Sequence, residues 1–126
     1  MKLVDTSSWI EYLRNTDSEA GNRVEELLLN GHAAWCDVTA VELWHGARGV
    51  REKRDLAALE QEVSLFPVDA EAWQKARHLA VACRQAGLTA PVADLVIAAA
   101  AARHGLDLEH CDRHFDMILP IASRLG

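Results

Sequence analysis

No apolar stretch in this 126-residue chain is long enough to cross a bilayer. The longest, Leu95 to Ala102, is far short of the roughly 20 residues a spanning helix needs. A secretory signal is not expected either, because only Lys2 is basic at the start and Asp5 and Glu11 interrupt the early apolar residues. Cysteine is scarce. Cys36, Cys83 and Cys111 are odd in number and lack paired spacing, which argues against a disulfide framework and leads us to expect free thiols in a reducing, cytoplasmic setting. Zinc is disfavoured too: His110, Cys111 and His114 lie close together, but no C-x-x-C set accompanies them. Basic excess is also missing. A net charge of −6 argues mildly against non-specific binding to polyanions, which usually needs a basic surface. Repeats, linkers and low-complexity tracts are absent, so residues 1–126 read as a single domain.

What is present is an ordinary globular mixture, 50% apolar and 25% charged. The first ten residues organise the rest. Leu3-Val4 reads as a buried strand that ends in Asp5 and three hydroxyls, at the strand edge where open α/β sheets place ligands. A helix follows over Thr6 to Leu13, with Ser8 and Glu11 at capping-box spacing. Ser18 to Leu29 is a second helix, stopped by Asn30-Gly31. Ala33 to Cys36 is a second buried strand. Helices over Thr39 to Ala47, ended by Gly49, and over Glu52 to Val63 come next. Leu65 to Val68 reads as a short strand that Pro67 confines to an edge. Asp69 caps a helix running to Ala86, and Pro91 opens an alanine-rich helix stopped by Gly105. Leu106 to His110 and Met117 to Leu119 read as the last strands. The alternation predicts an α/β fold with a mostly parallel sheet flanked by helices.

Four acids recur at comparable positions: Asp5, Glu42, Asp94 and Asp112. Each has a plain structural explanation. Asp5 can cap the following helix, Glu42 has capping-box spacing from Thr39, Asp94 suits a first helical turn, and Asp112 and Asp116 can cap or solvate a C-terminal turn. Jointly they mean more. In a parallel sheet with right-handed crossovers these positions share one edge of the molecule. Carboxylates crowded there raise one another's pKa unless a cation sits between them, and oxygen-only ligation suits Mg²⁺ or Mn²⁺, not Zn²⁺. Two bound Mg²⁺ would also reverse the local field at an otherwise acidic surface.

Taken in order, Asp5-Thr6-Ser7-Ser8-Trp9-Ile10, Val38-Thr39-Ala40-Val41-Glu42-Leu43, Pro91-Val92-Ala93-Asp94-Leu95-Val96-Ile97-Ala98-Ala99 and Asp112-Arg113-His114-Phe115 resemble the successive motifs of the PIN-domain family. They are most similar to its VapC branch of toxin ribonucleases, over essentially the whole chain. The resemblance implies a three-layer PIN-like sandwich and a metal-dependent endoribonuclease, the toxin of a toxin–antitoxin pair. In it Asp5, Glu42, Asp94 and Asp112 match the acidic quartet that holds Mg²⁺, with Mn²⁺ able to substitute, and Asp116 matches an accessory acid. Ser7 matches a hydroxyl that orients metal or phosphate, with Thr6 as the other candidate. The implied reaction is in-line attack of water on an RNA phosphodiester, leaving a 5′-phosphate and a 3′-hydroxyl. A homodimer and a VapB-type antitoxin lying over the active site are the implied partners. One departure is His110-Cys111, where the family often carries a small hydroxyl residue before the fourth acid.

Arg48, Arg51, Lys53 and Arg54 are either a solvated helix face paired with Glu52 and Asp55 or an electrostatic guide for RNA. Of the four tryptophans, Trp35 and Trp73 read as core, and Trp9 and Trp44 as core or as an apolar surface. Three readings rival the ribonuclease, one of them a nuclease that prefers structured DNA. An aspartyl-nucleophile phosphatase starting from Asp5 would want a second acid two residues on, where Ser7 stands. An inactive binding module of the same fold would not need all four acids.

Overall fold

Alternation fixes the sheet. In β1 (Lys2–Val4), Leu3 packs into one core and Val4 into another, because successive strand side chains point to opposite faces. In β2 (Ala33–Cys36), Ala34 and Cys36 join Leu3, whereas Ala33 and Trp35 join Val4. Two further strands, β3 (Ser64–Phe66) and β4 (Asp107–Glu109), complete a wholly parallel sheet in the order β3-β2-β1-β4. The structure, a computed structural model, describes residues 1–125.

Among the described residues, seven helices cover the sheet: α1 (Thr6–Leu13), α2 (Glu19–Leu29), α3 (Asp37–Gly46), α4 (Gly49–Glu62), α5 (Ala70–Gln85), α6 (Val92–His104) and α7 (Arg113–Leu125). Trp9 of α1, Val24 of α2, Leu43 of α3 and Leu56 and Leu59 of α4 pack on the Val4–Trp35 face. Leu79 and Cys83 of α5, Ile97 and Ala98 of α6 and Phe115, Ile118 and Ile121 of α7 pack on the Leu3–Cys36 face. This is the three-layer α/β sandwich expected from the sequence. No helix among the described residues is long and apolar enough to cross a membrane, and all three cysteines are free thiols.

The helix α6 is the most enclosed element: every residue from Leu95 to Ala101 is buried. A helix apolar on all sides belongs inside a molecule, and small alanines let α5, α7 and the sheet approach it closely. Where α1 meets α2, a Cβ on Gly21 would lie 3.2 Å from the Glu11 carbonyl oxygen, so glycine permits that crossing.

Several local expectations are corrected. The Ser8–Glu11 capping box is not formed. Asp5 caps α1 instead, accepting from the Ser7 and Ser8 amides, while Ser8 is buried in the first turn. The helix α3 starts at Asp37 rather than Thr39, so Thr39 and Glu42 are not a capping pair; Asp37 is held by a hydrogen bond from the Val68 amide at 2.8 Å. Gly49 does not end α3 but opens α4, with φ of +73°. Met117 to Leu119 is not a strand. It lies within α7, whose buried positions Phe115, Ile118 and Ile121 recur every third residue while Met117 is exposed. A short apolar run cannot by itself distinguish helix from strand. Pro120 is tolerated because it lies on the exposed side of α7, where the carbonyl it leaves unpaired can meet water. Trp73 is exposed rather than core, and Trp44 partly so, donating to Glu60 Oε1 at 2.7 Å. Trp9 is fully buried against Trp35.

Candidate metal centre

The strand order reverses at β1. From β1 the chain steps outward to β2 and β3, whereas β4 lies on the other side of β1. It leaves β1 into α1 on one face and β4 into α7 on the other. Such a reversal opens a crevice beyond the carboxyl ends of the two strands, where open α/β sheets bind ligands. Asp5 directly follows β1 and Asp112 follows β4. Asp94 stands in the first turn of α6. Glu42 lies in the second turn of α3, one turn deeper than expected.

Three of the four acids are held by local hydrogen bonds. Asp5 is 2% exposed. Its Oδ1 accepts from the Ser8 amide at 3.1 Å, and its Oδ2 from the Ser7 amide at 3.3 Å and the Ser7 hydroxyl at 2.7 Å. A carboxylate so buried and so fully engaged is a poor covalent nucleophile, which disfavours the aspartyl-phosphatase alternative. Asp112 accepts from the His114 amide at 2.9 Å, in the first turn of α7. Glu42 Oε1 accepts from the Thr6 hydroxyl at 2.6 Å. Thr6 Oγ1 also lies 3.3 Å from Thr39 Oγ1, and with its one proton given to Glu42 that contact is made with Thr39 donating. Capping and convergence are thus not alternatives, since two of the acids do both.

The electrostatics meet at Asp94. Its pKa is raised from 3.8 to about 6, first by burial and then by the negative charge of Asp112; His114 opposes the rise, and Asp5 and Glu42 add to it. All four acids therefore act on one point. The tightest set is Asp94, Asp112 and His114, whose donor atoms lie within 4.8 Å of one another. His114 Nδ1 is 3.1 Å from Asp112 Oδ1 and 3.4 Å from Asp94 Oδ2. A nitrogen donor stands beside the carboxylate oxygens in this group. In the sequence, His114 stands out only as part of a zinc set with Cys111. No sequence signal singles it out for this group, because only the fold brings its ring to Asp94 as well as Asp112.

A family model described as PIN domain matches residues 2–118. The chain belongs to the PIN-domain family. It is 38% identical to a VapC ribonuclease of Mycobacterium bovis and to ribonuclease VapC11 of Mycobacterium tuberculosis, the alignments covering 98% of this chain and 95% of each relative. Among solved structures, VapBC2 from Rickettsia felis bound to a promoter DNA fragment superimposes with a TM-score of 0.80 at 18% identity, covering 95% of this chain and 93% of the other. FitAcB from Neisseria gonorrhoeae does so with a TM-score of 0.73 at 24% identity, covering 98% and 94%. At such identities these likenesses speak to the fold.

Other expected residues of this PIN domain lie apart from the acids. Asp116 is exposed in α7, 3.9 Å from His110 Nε2, and stands outside the Asp94 group. Arg48, Arg51, Lys53 and Arg54 are exposed at the start of α4. Arg51 faces a cleft of about 440 Å³ walled by Glu11, Glu25, Asp55 and Glu62, which none of the four acids lines. Glu109 is a further buried acid, but its charge is met by Arg23 at 2.9 Å and Lys2 at 3.8 Å. It locks β4 to α2 and is spent structurally.

Proposed function

We propose that this PIN domain is a metal-dependent endoribonuclease, the toxin of a toxin–antitoxin pair. The observation that carries it is the convergence of Asp94, Asp112 and His114, whose donor atoms lie within 4.8 Å of one another, in a chain 38% identical along nearly its whole length to VapC ribonucleases. Crowded carboxylates at the switch point of a parallel sheet form a donor set that suits a hard divalent cation, Mg²⁺ or Mn²⁺. Asp94 and Asp112 would hold it, with Asp5 and Glu42 bearing on it directly or through water. When bound, such an ion neutralises phosphate charge and makes water a competent nucleophile near neutral pH.

The chain's own part is positional. Ser7 and the α1 amides orient Asp5, and Thr6 orients Glu42, so the acids need not reorganise when RNA arrives. No side-chain nucleophile is required, because Ser7 spends its proton on Asp5. Hydrolysis by water leaves a 5′-phosphate and a 3′-hydroxyl. The structures it resembles include a VapBC complex and FitAB, the latter also bound to DNA. A VapB-type antitoxin is accordingly the expected partner, with a homodimer as the basic unit and larger hetero-assemblies built on it. Arg48, Arg51, Lys53 and Arg54 are proposed to guide RNA, and Asp116 to assist from the rim.

The test is cleavage of single-stranded RNA and of transfer RNA in Mg²⁺ and in EDTA, with DNA as control. Asp94→Asn should cut at least about a hundredfold more slowly, as expected when a metal site is disabled, with an unchanged circular dichroism spectrum. Undiminished cutting by folded Asp94→Asn would refute the assignment.

A further inference from the structure

We infer that His114 is a metal ligand through Nδ1, and that this nitrogen makes the centre favour Mn²⁺ over Mg²⁺. The inference rests on the nuclease reading above and goes beyond it in naming a ligand and a selectivity. Three observations support it. His114 Nδ1 is 3.1 Å from Asp112 Oδ1 and 3.4 Å from Asp94 Oδ2. On an octahedral ion with bonds of roughly 2.1 Å, neighbouring donors are about 3.0 Å apart, so Nδ1 lies near adjacent-corner spacing from one oxygen of each carboxylate. Second, Nδ1 is shielded from solvent and has no hydrogen-bond partner of acceptable geometry. A buried imidazole nitrogen is rarely left so, and its approach to two acceptors without a well-aligned bond to either suits a ligand shared with an ion. Third, the His114 amide donates to Asp112 Oδ1 at 2.9 Å, holding the Asp112 carboxylate beside the residue it would share the ion with.

The selectivity follows from donor chemistry. Mg²⁺ demands oxygen and gives up water reluctantly, whereas a first-row transition ion accepts imidazole nitrogen alongside carboxylate oxygen. Replacing one oxygen corner by nitrogen therefore costs Mg²⁺ more than Mn²⁺. Zn²⁺ is less well suited, because the four acids offer more oxygens than its usual four-coordinate sites take.

The experiment uses the full-length protein titrated with Mn²⁺ and, separately, Mg²⁺ by calorimetry, together with pulsed electron paramagnetic resonance of the Mn²⁺ complex. Wild type should show ¹⁴N modulation from a directly bound imidazole. His114→Gln should lose it and bind Mn²⁺ about tenfold or more weakly, within the range seen when a metal site is perturbed, while Mg²⁺ affinity changes much less. His114→Asp, which returns an oxygen donor, should shift the preference back toward Mg²⁺. If wild type binds Mn²⁺ without ¹⁴N modulation, or His114→Gln keeps both signal and selectivity, His114 is only a neighbour of Asp94 and Asp112 and the inference falls while the nuclease reading stands. If Asp94→Asn binds Mn²⁺ as tightly as wild type, the metal centre itself is misplaced and both fall.

Discussion

An aspartate that keeps its proton up to about pH 6 in the folded chain weakens the fold once that proton leaves. Between its ordinary value of 3.8 and about 6, the native state binds more protons than the unfolded one, so stability falls as pH rises through this window and the loss is complete above it. Melting temperatures taken in EDTA should therefore show Asp94→Asn pulling ahead of wild type from pH 4 to 6 and holding a constant lead above that. Parallel curves across the range would mean that neither burial nor the neighbouring carboxylates raise the Asp94 pKa. Adding Mn²⁺ at pH 7.5 should raise the melting temperature of wild type and leave the variant nearly unchanged. Asp5 behaves differently because it caps α1. Asp5→Asn keeps one acceptor oxygen for the helix and should cost less than the 0.5–2 kcal/mol typical of a lost cap, read by urea unfolding, while RNA cleavage drops as steeply as in Asp94→Asn. These two acids could be picked out from the sequence because each ends an apolar run or begins a helix. His114 could not be, since nothing in the order of residues says that a ring two positions past Asp112 turns back between two carboxylates.

Among the elements, α6 joins the core to the crevice. It is buried along Leu95 to Ala101, and Ala100 is fully enclosed, with α5 and α7 packed against it. Enlarging Ala100 to leucine should destabilise the protein by about 1–3 kcal/mol, as overpacking of tight cores does, measured by chemical denaturation. Because Asp94 sits at the start of the same helix, Mn²⁺ affinity should fall as well. A substitution that leaves both unchanged would show that α6 is less tightly enclosed than described. The alanine run and its flanking Pro91 and Gly105 marked this helix plainly in the sequence, and the strand ending in Asp5 was as plain for β1. Errors gathered where pattern gave way to tertiary context. Met117-Ile118-Leu119 has the composition of a strand, yet Phe115, Ile118 and Ile121 bury one face of α7. Likewise Thr39 has the chemistry of a cap but is buried, because α3 begins two residues earlier.

For the molecule as a whole, the decisive feature is the reversal of strand order at β1, which sets Asp5 and Asp112 on either side of one crevice. Parallel topology could be inferred from strands alternating with helices, but which strand lies in the middle depends on pairing that a linear pattern does not state. Charge also acts at this scale. With a net charge of −6, RNA approach depends on local cations, and α4 with its cap Arg48 presents four of them outward. Replacing Arg48, Arg51, Lys53 and Arg54 by glutamine should weaken RNA binding and flatten its salt dependence by about 0.7 for each phosphate no longer neutralised, with Mn²⁺ affinity unchanged. An unaltered salt slope would leave those residues as a solvated helix face. The burial that strains Asp94 has a practical corollary. A chain carrying asparagine there should be both silent and sturdier than its parent in the absence of metal, so it makes better bait than an Asp5 variant for fishing out the transcripts this protein would otherwise destroy.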